Sequence, residues 1–489
     1  MEIQFKELYK AYRDCRRRKR KTVNAQRYEM HLLDNLFETQ ASLNARRYQP
    51  ARCIRFIATK PKAREIHAAD FSDRVVHHWL TPRLETLFEP IFIHDVYSNR
   101  VGKGAHKAVD RLQSFMHSVG NDGWYLQLDI ANFFNSIDRP VLFTLLQQRL
   151  RKAVQMYQKF PTDKRAISPK EADTLRWLCH VLLRHDSSGN ASYRGNPKLL
   201  HRVPAHKQLG NMGEHKGLPI GNLTSQFFAN VYLNPFDQFV KHTLKCAHYV
   251  RYVDDFILLA SDKETLLAWR EQIKQFLQNT LQLSLKEIAE PKRVTTGADF
   301  LGYIIYPYYR LVRRRVVGNF REKLQQFQTE LVSGSREKGY CITLKSDVIE
   351  QLRATLASYH GHFKHANSYR LQQRLWVLFP WLDLLFETSL KPRYEPQRLE
   401  VSRYYSQINY FQRQYPFAQL FIQRGKKRDV IKNTPPDFQV IKENQPLQKA
   451  ITHVKINQVG YMKDGLKRRR VQQLFIRSGV ELCPISKNH

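Results

Sequence analysis

Apolar positions along this chain follow two different periods, and the switches between them mark its organisation. Short runs dense in branched and aromatic residues predict strands at Arg52–Ala58, Trp124–Asp129, Tyr249–Val253, Phe256–Ala260 and Phe300–Tyr306. Between them, apolar residues spaced three and four apart predict helices, among them Ser72–Phe88 and Ser225–Leu244. Residues 1–50 and 318–390 keep helical spacing, and 51–317 mixes the two periods. The segment Asp186–Lys216, rich in Gly, Asn, His and Ser, is expected to be a long loop. From 391 to 489 the pattern is mixed, with Lys426–Pro446 reading as a polar loop. No segment repeats. The expectation is an α+β chain: a helical N-terminal extension (1–50), a mixed core (51–317), a helical region (318–390) and a C-terminal region (391–489).

Charge adds a partner to this outline. Lys and Arg number 80 against 44 acidic residues, a formal charge of +36, which calls for a polyanion. With 42% hydrophobic and 12% aromatic residues the chain has the material for a core, which excludes a disordered protein. No run approaches the roughly 20 apolar residues of a membrane span. The N-terminal Met1–Glu7 has no apolar signal core, so a cytoplasmic location and no membrane partner are expected. The six cysteines lie far apart with no CxxC pair, which predicts reduced, structural thiols. The block Arg16-Arg17-Arg18-Lys19-Arg20-Lys21 is the densest cationic run and a candidate contact for a nucleic-acid backbone; Lys467–Arg470 is a second.

Five elements carry candidate chemistry. Tyr252-Val253-Asp254-Asp255 places two acids between two strand-like runs, the pattern of a hairpin turn. Asp is a common turn residue. Here, though, the apolar flanks bury both arms, and adjacent carboxylates in such a place repel one another unless a divalent cation relieves them. Asp129 ends the Trp124–Asp129 run and precedes Ile130-Ala131-Asn132-Phe133-Phe134; an acid there serves as a ligand or as a helix cap. In Gly217-Leu218-Pro219-Ile220-Gly221-Asn222-Leu223-Thr224-Ser225-Gln226, chain-breaking residues open a long helix, whose start can face a phosphate or a base pair. Lys60–Ile66 puts Lys62 and Arg64 on a strand–turn–strand able to grip a triphosphate. Phe300-Leu301-Gly302-Tyr303 is an apolar strand with an embedded glycine.

Taken in chain order, these elements resemble the fingers and palm of reverse transcriptases, over about residues 50 to 390. The resemblance implies a right-hand polymerase: fingers and palm (an antiparallel sheet plus helices) over 51–317 and a helical thumb over 318–390, between basic N- and C-terminal extensions. It implies an RNA-directed DNA polymerase, a nucleotidyltransferase, with Asp129, Asp254 and Asp255 as catalytic carboxylates. Those acids and the backbone of Ile130 would hold two magnesium ions, or manganese in their place. Phe134 would be the gate against a ribose 2′-hydroxyl, and Lys62 and Arg64 the triphosphate grip. Gly221 and Gln226 would face the nascent base pair, and Phe300, Leu301, Gly302 and Tyr303 would form the primer grip. Lys286 and Lys292 both qualify as the proton donor to pyrophosphate.

Many retron and group II intron enzymes of this family carry Ser-Pro where this chain has Ser225-Gln226. The form Ile220–Gln226 followed by Phe227-Phe228-Ala229-Asn230 is instead similar to diversity-generating retroelement enzymes and to related bacterial enzymes, among whose lineages some serve in antiphage defence. The partners implied are a structured noncoding RNA, a DNA primer or product, and deoxynucleotides; an accessory protein and self-association stay open. Two other readings also stay open: an RNA-binding scaffold or splicing cofactor, and a polymerase that makes DNA without a conventional template.

Overall fold

The computed structural model describes residues 2–388 apart from 18, 21, 60–61, 190, 287–288, 336–338 and 344, and beyond 388 the segments 396–398, 418–424, 427–431, 440–442, 473–478 and 481–483. It divides into two compact units, Met1–Leu301 with Ile305–Tyr308, and Gly302–Ile304 with Tyr309–His489.

The first unit opens with helices α1 (Phe5–Arg16), α2 (Val23–Met30) and α3 (Leu32–Asn44). Ile3, Leu8, Leu36 and Leu43 share one core with Phe71, Val75 and Trp79, so this basic segment is built into the unit and not appended to it. A hairpin of β1 (Cys53–Ala58) and β2 (Arg64–Ala68) leads to α4 (Phe71–Phe88), whose start is capped by the Asp70 carboxylate at 3.0 Å from the Ser72 N–H. Then come α5 (Ala105–Val119), β3 (Trp124–Asp129), the one-turn α6 (Phe133–Ser136), α7 (Arg139–Lys159), α8 (Pro169–Arg184) and the short β4 (Ala191–Tyr193). The chain continues through α9 (Leu223–Gln238), β5 (His248–Tyr252), β6 (Asp255–Ala260), α10 (Lys263–Leu281), β7 (Lys292–Arg293) and β8 (Ala298–Phe300). The central sheet is antiparallel with strand order β5-β6-β3-β7. Strands β5 and β6 are buried along most of their length, which is why they read as largely apolar runs, whereas β3 alternates more, with Gln127 partly exposed.

The second unit holds the first two residues of β9 (Tyr303–Ile305), then β10 (Arg310–Val312), α11 (Arg314–Leu331), the hairpin β11 (Val332–Ser335) and β12 (Gly339–Ile342), α12 (Ser346–Phe363) and α13 (Tyr369–Leu378). Phe320, Leu324, Leu352, Leu356 and Trp381 are among its core, and Phe320 stacks on Tyr359 at 4.4 Å. A short hairpin of β13 (Phe386–Thr388) and β14 (Pro396–Arg398) follows. Strands β15 (Ala418–Arg424), β16 (Lys427–Ile431), β17 (Val440–Lys442), β18 (Gln473–Ser478) and β19 (Glu481–Cys483) form an antiparallel sheet ordered β17-β16-β15-β18-β19.

Three expectations need correction. Phe300–Tyr306 is not one strand: Leu301 (φ 51°) and Gly302 (φ 92°) are both left-handed and turn the chain between β8 and β9. A Cβ on Gly302 would meet the His362 ring at 3.0 Å, so the site demands glycine twice over. Within Lys426–Pro446, β16 and β17 are strands; Lys427-Arg428-Asp429 is too polar to register as one, but pairing uses only the backbone. Finally, Asp186–Lys216 is largely irregular but contributes β4, parallel to β1. Cys15, Cys53, Cys179 and Cys246 are buried, and no described helix is long and apolar enough to cross a membrane.

Candidate active site

Sheet register brings the distant acids to one end of the palm-like sheet. Asp129, the last residue of β3, lies directly opposite Asp255, the first of β6. Tyr252 pairs with Asp255, which leaves Val253-Asp254 as the two-residue turn joining β5 to β6. The Ile130 N–H donates to the Asp254 carbonyl at 3.3 Å, tying the end of β3 to that turn. Burial first, and then the negative charge of Asp129, push the Asp254 carboxyl up to about 6, while the Arg64 guanidinium pulls it down. Burial also pushes Asp255 up to about 7, against the Gln127 amide, which donates to its two oxygens at 3.0 and 3.4 Å. Asp129 thus interacts with the Asp254 carboxyl of the adjoining turn, while Asp255, its ladder partner, is held by Gln127.

A buried carboxyl whose proton affinity is raised further by a neighbouring carboxylate, as Asp254 is by Asp129, marks a site short of positive charge, which a divalent cation supplies. Among the described residues no three His, Cys, Asp or Glu side chains close round one point. The donor set therefore suits a cation that takes one or two carboxylates and completes its shell with water, backbone and phosphate oxygens, the habit of magnesium.

The register also separates the two candidate lysines. Lys286 Nζ is 3.5 Å from Asp129 Oδ2, and its backbone N–H donates to the Asp129 carbonyl at 2.9 Å. Lys292 pairs instead with Tyr125, about 13 Å back along β3. Asp138, the other acid of the Asp129 segment, is committed to capping α7 through the Val141 N–H at 3.0 Å.

The remaining sequence-derived residues divide into exposed and buried. Lys62 and Arg64 are exposed at the β1–β2 hairpin; Lys60 and Pro61 lie outside the described residues. Left-handed Asn132 (φ 48°) turns the chain out of β3 so that Phe134, half-buried and edge-on to Phe133, follows within one turn. Gln226 is exposed in the first turn of α9. Gly221 (φ 126°) has a local reason to be glycine: a Cβ would meet Ile66 at 3.0 Å, because the Ile220 carbonyl accepts the His67 N–H of β2 at 2.9 Å. Of the 300–303 turn, Phe300 and Tyr303 are buried, so Leu301 and Gly302 make up its accessible part.

In the basic block, Arg16 is paired with Glu29 and Arg17 with Asp14, so neither is a free cation; Arg18 and Lys21 lie outside the described residues. A groove of about 640 Å³ is lined by Lys6, Lys10, Arg13, Arg16, Arg17 and Arg20. Helical spacing gathers cations that the linear run did not include.

Sequence reading missed one buried polar network. Arg251 and Asp237 are both fully buried and meet in a fork, Nε–Oδ1 2.8 Å and Nη2–Oδ2 2.6 Å. The Tyr249 hydroxyl donates to Asp237 at 2.8 Å. Arg251 Nη1 donates to the Val253 carbonyl at 2.8 Å, and the Val253 N–H donates to the Ser98 hydroxyl at 3.0 Å. Asn230 on α9 donates to the Ser98 carbonyl at 2.9 Å and accepts from the Ser98 hydroxyl at 3.3 Å. Val253 has φ 60°, a conformation that costs a non-glycine residue about 1–3 kcal/mol and is least tolerated by a β-branched one. The available signal was a valine where a two-residue hairpin turn calls for Gly or Asn.

Residues 58–305 match the family described as reverse transcriptase (RNA-dependent DNA polymerase), just over half of the 489-residue chain. The group II intron-encoded protein LtrA of Lactococcus lactis subsp. cremoris is 25% identical over 296 residues, 53% of this chain and 47% of LtrA, so the chain spans about half the length of that relative. Protein YkfC of Escherichia coli is 22% identical over 321 residues, 58% of this chain and 74% of YkfC. Among solved structures, a telomerase from Candida albicans aligns at 10% identity and TM-score 0.39, covering 72% of this chain and 61% of that one. The family match spans β2, the paired ends of β3 and β6, and the Val253-Asp254 turn, and it carries with it the α+β, right-hand polymerase class. This chain belongs to the reverse transcriptase family.

Proposed function

We propose that this protein is an RNA-directed DNA polymerase that extends a primer by two-metal phosphoryl transfer. Its template would be a dedicated structured noncoding RNA, in a bacterial retroelement of the diversity-generating type or in an antiphage defence system. The observation that carries the chemistry is that the β3–β6 register brings Asp129 to the end of the sheet where the β5–β6 turn holds Asp254, whose carboxyl burial and the Asp129 charge push up to about 6. Asp129 and Asp254 would hold the cations, with Asp255 more peripheral and the backbone of Ile130 adding a ligand. When bound, two magnesium ions, or manganese, activate the primer 3′-hydroxyl and neutralise the leaving pyrophosphate.

The chain's own residues do the rest. Lys62 and Arg64 bind the triphosphate, and Lys286, with its Nζ 3.5 Å from Asp129, is placed to pass a proton to pyrophosphate. Phe134 closes the ribose side, Gly221 and Gln226 lie against the nascent base pair, and the 300–303 turn steadies the primer. In domain terms, 51–317 is read as fingers and palm and 318–390 as thumb. The 391–489 region is read as a basic accessory domain.

Phe134→Ala should raise ribonucleotide incorporation relative to deoxynucleotides by about 10–100-fold, the range that steric fit in a pocket supplies. Single-turnover incorporation measures it, and unchanged discrimination removes Phe134 as the gate. RNA affinity should fall steeply with salt, by about tenfold or more between 50 and 200 mM, if the cationic groove on α1 neutralises several phosphates. Filter binding at graded salt is the check, and a flat curve rejects the groove as an RNA surface. The role itself is tested by purifying the protein with co-expressed RNA, adding deoxynucleotides and magnesium, and sequencing both nucleic acids. DNA copied from the bound RNA supports the proposal and identifies the element. DNA unrelated to that RNA favours synthesis without a conventional template.

A further inference from the structure

The turn that carries Asp254 is held in a conformation its own sequence opposes. Val253 is the first central residue of a two-residue hairpin turn, where φ is positive, and it has φ 60° with a branched side chain. Left alone, this residue would relax toward negative φ and swing the next residue, Asp254, away from Asp129. Three groups oppose that. The Val253 N–H is held by Ser98 at 3.0 Å, its carbonyl by Arg251 at 2.8 Å, and the Asp254 carbonyl by the Ile130 N–H at 3.3 Å.

The two side chains that hold Val253 are themselves fixed from elsewhere in the fold. Ser98 ends a segment that runs beside β5, with the Tyr97 N–H on the Arg251 carbonyl and the Arg251 N–H on the Asp95 carbonyl, both at 3.0 Å. Arg251 is locked by Asp237 and Ser98 by Asn230, and these two partners sit seven residues apart on one face of α9. An ion pair serving only core stability has no need to reach a turn. This one does, and meets there a second, separately anchored hydroxyl on the opposite polar group of the same residue.

We infer that Ser98, Asn230, Asp237 and Arg251 act as a clamp that imposes the left-handed conformation of Val253 and so positions Asp254 beside Asp129 for cation binding. The inference rests on the reading of Asp129 and Asp254 as cation ligands. These four are positioning residues, since none of them touches the reacting atoms. Glycine adopts positive φ without strain, so a glycine at 253 makes the clamp dispensable.

The test compares wild type, Ser98→Ala, Val253→Gly and the double variant, with Mn2+ binding followed by electron paramagnetic resonance and primer extension measured in parallel. Ser98→Ala strips the partner from a backbone N–H, and Mn2+ affinity and kcat should each fall by about tenfold with KM for primer–template unchanged. Adding Val253→Gly should restore both to within about threefold of wild type, because the turn then forms unaided. A loss that glycine does not rescue, or no loss at all, overturns the clamp. If Ser98→Ala does not fold, Arg251→Lys substitutes for it, keeping the charge on Asp237 but shortening the reach to the Val253 carbonyl, and the same rescue is expected. Wild type that binds no Mn2+, or binding that survives Asp254→Asn, removes the cation-site reading itself, and the clamp falls with it.

Discussion

Asp254→Asn is expected to slow primer extension by about 10³-fold or more, equivalent to about 4 kcal/mol of transition-state stabilisation. The amide keeps the size of the carboxylate and can still sit in the Val253-Asp254 turn, so the backbone bond from the Ile130 N–H at 3.3 Å should survive. What is lost is one of two neighbouring charges, and with it the reason for a cation to bind between β3 and β6. RNA affinity, which the proposed function assigns to cations on α1 and elsewhere, should stay within about twofold. Single-turnover extension and filter binding on the same preparation separate the two effects. Activity near the wild-type level in this variant would remove Asp254 from the site.

The second large effect is on stability. Asp237→Ala leaves the fully buried Arg251 guanidinium without its carboxylate and should cost about 3–5 kcal/mol. Its measure is the shift in the urea unfolding midpoint of the first unit. The pair should not be replaceable without consequence for chemistry, however. Asp237→Leu combined with Arg251→Met substitutes apolar side chains of similar volume and should recover most of the lost stability, since dissolving a buried pair as a whole is far cheaper than halving it. Primer extension should stay depressed in the double variant, because the Val253 carbonyl has lost its donor at 2.8 Å. Recovery of both stability and synthesis would show that the pair does nothing beyond filling space.

How much of this was legible in the sequence depends on whether the information is local. Strands β5 and β6 were readable to within a residue or so at their ends because burial on both faces writes itself as an apolar run, and β3 because its buried Tyr125, Leu126 and Leu128 are strand-forming or apolar. The acids at their ends stood out for the same reason. That Asp129 ends beside the turn carrying Asp254 was not readable from spacing, since it follows from β3 inserting between β6 and β7, a choice made by the whole sheet. Lys286 and Lys292 look alike in sequence, and only the fold sets the first beside Asp129 and the second opposite Tyr125. Arg251 and Asp237 were invisible because a charged residue in a strand or helix reads as a solvated face, and only the fold shows both at zero exposure. Val253 carried its signal as a mismatch between residue and turn, which is where strain at a working site is expected to surface. The cationic groove on α1 was only half legible: the run from Arg16 was plain, but Arg16 and Arg17 line the groove while paired with Glu29 and Asp14, and the helical stripe through Lys6, Lys10 and Arg13 joins them there.

The central claim is templated DNA synthesis at the Asp129–Asp254 site. Its most direct measurement is extension of a DNA primer annealed to a heteropolymeric RNA of known sequence, with all four deoxynucleotides and magnesium, followed by sequencing of the product. The account predicts DNA complementary to the RNA, dependent on magnesium and absent with Asp254→Asn. No product from the wild-type protein, or product indifferent to the Asp254→Asn substitution, would contradict it.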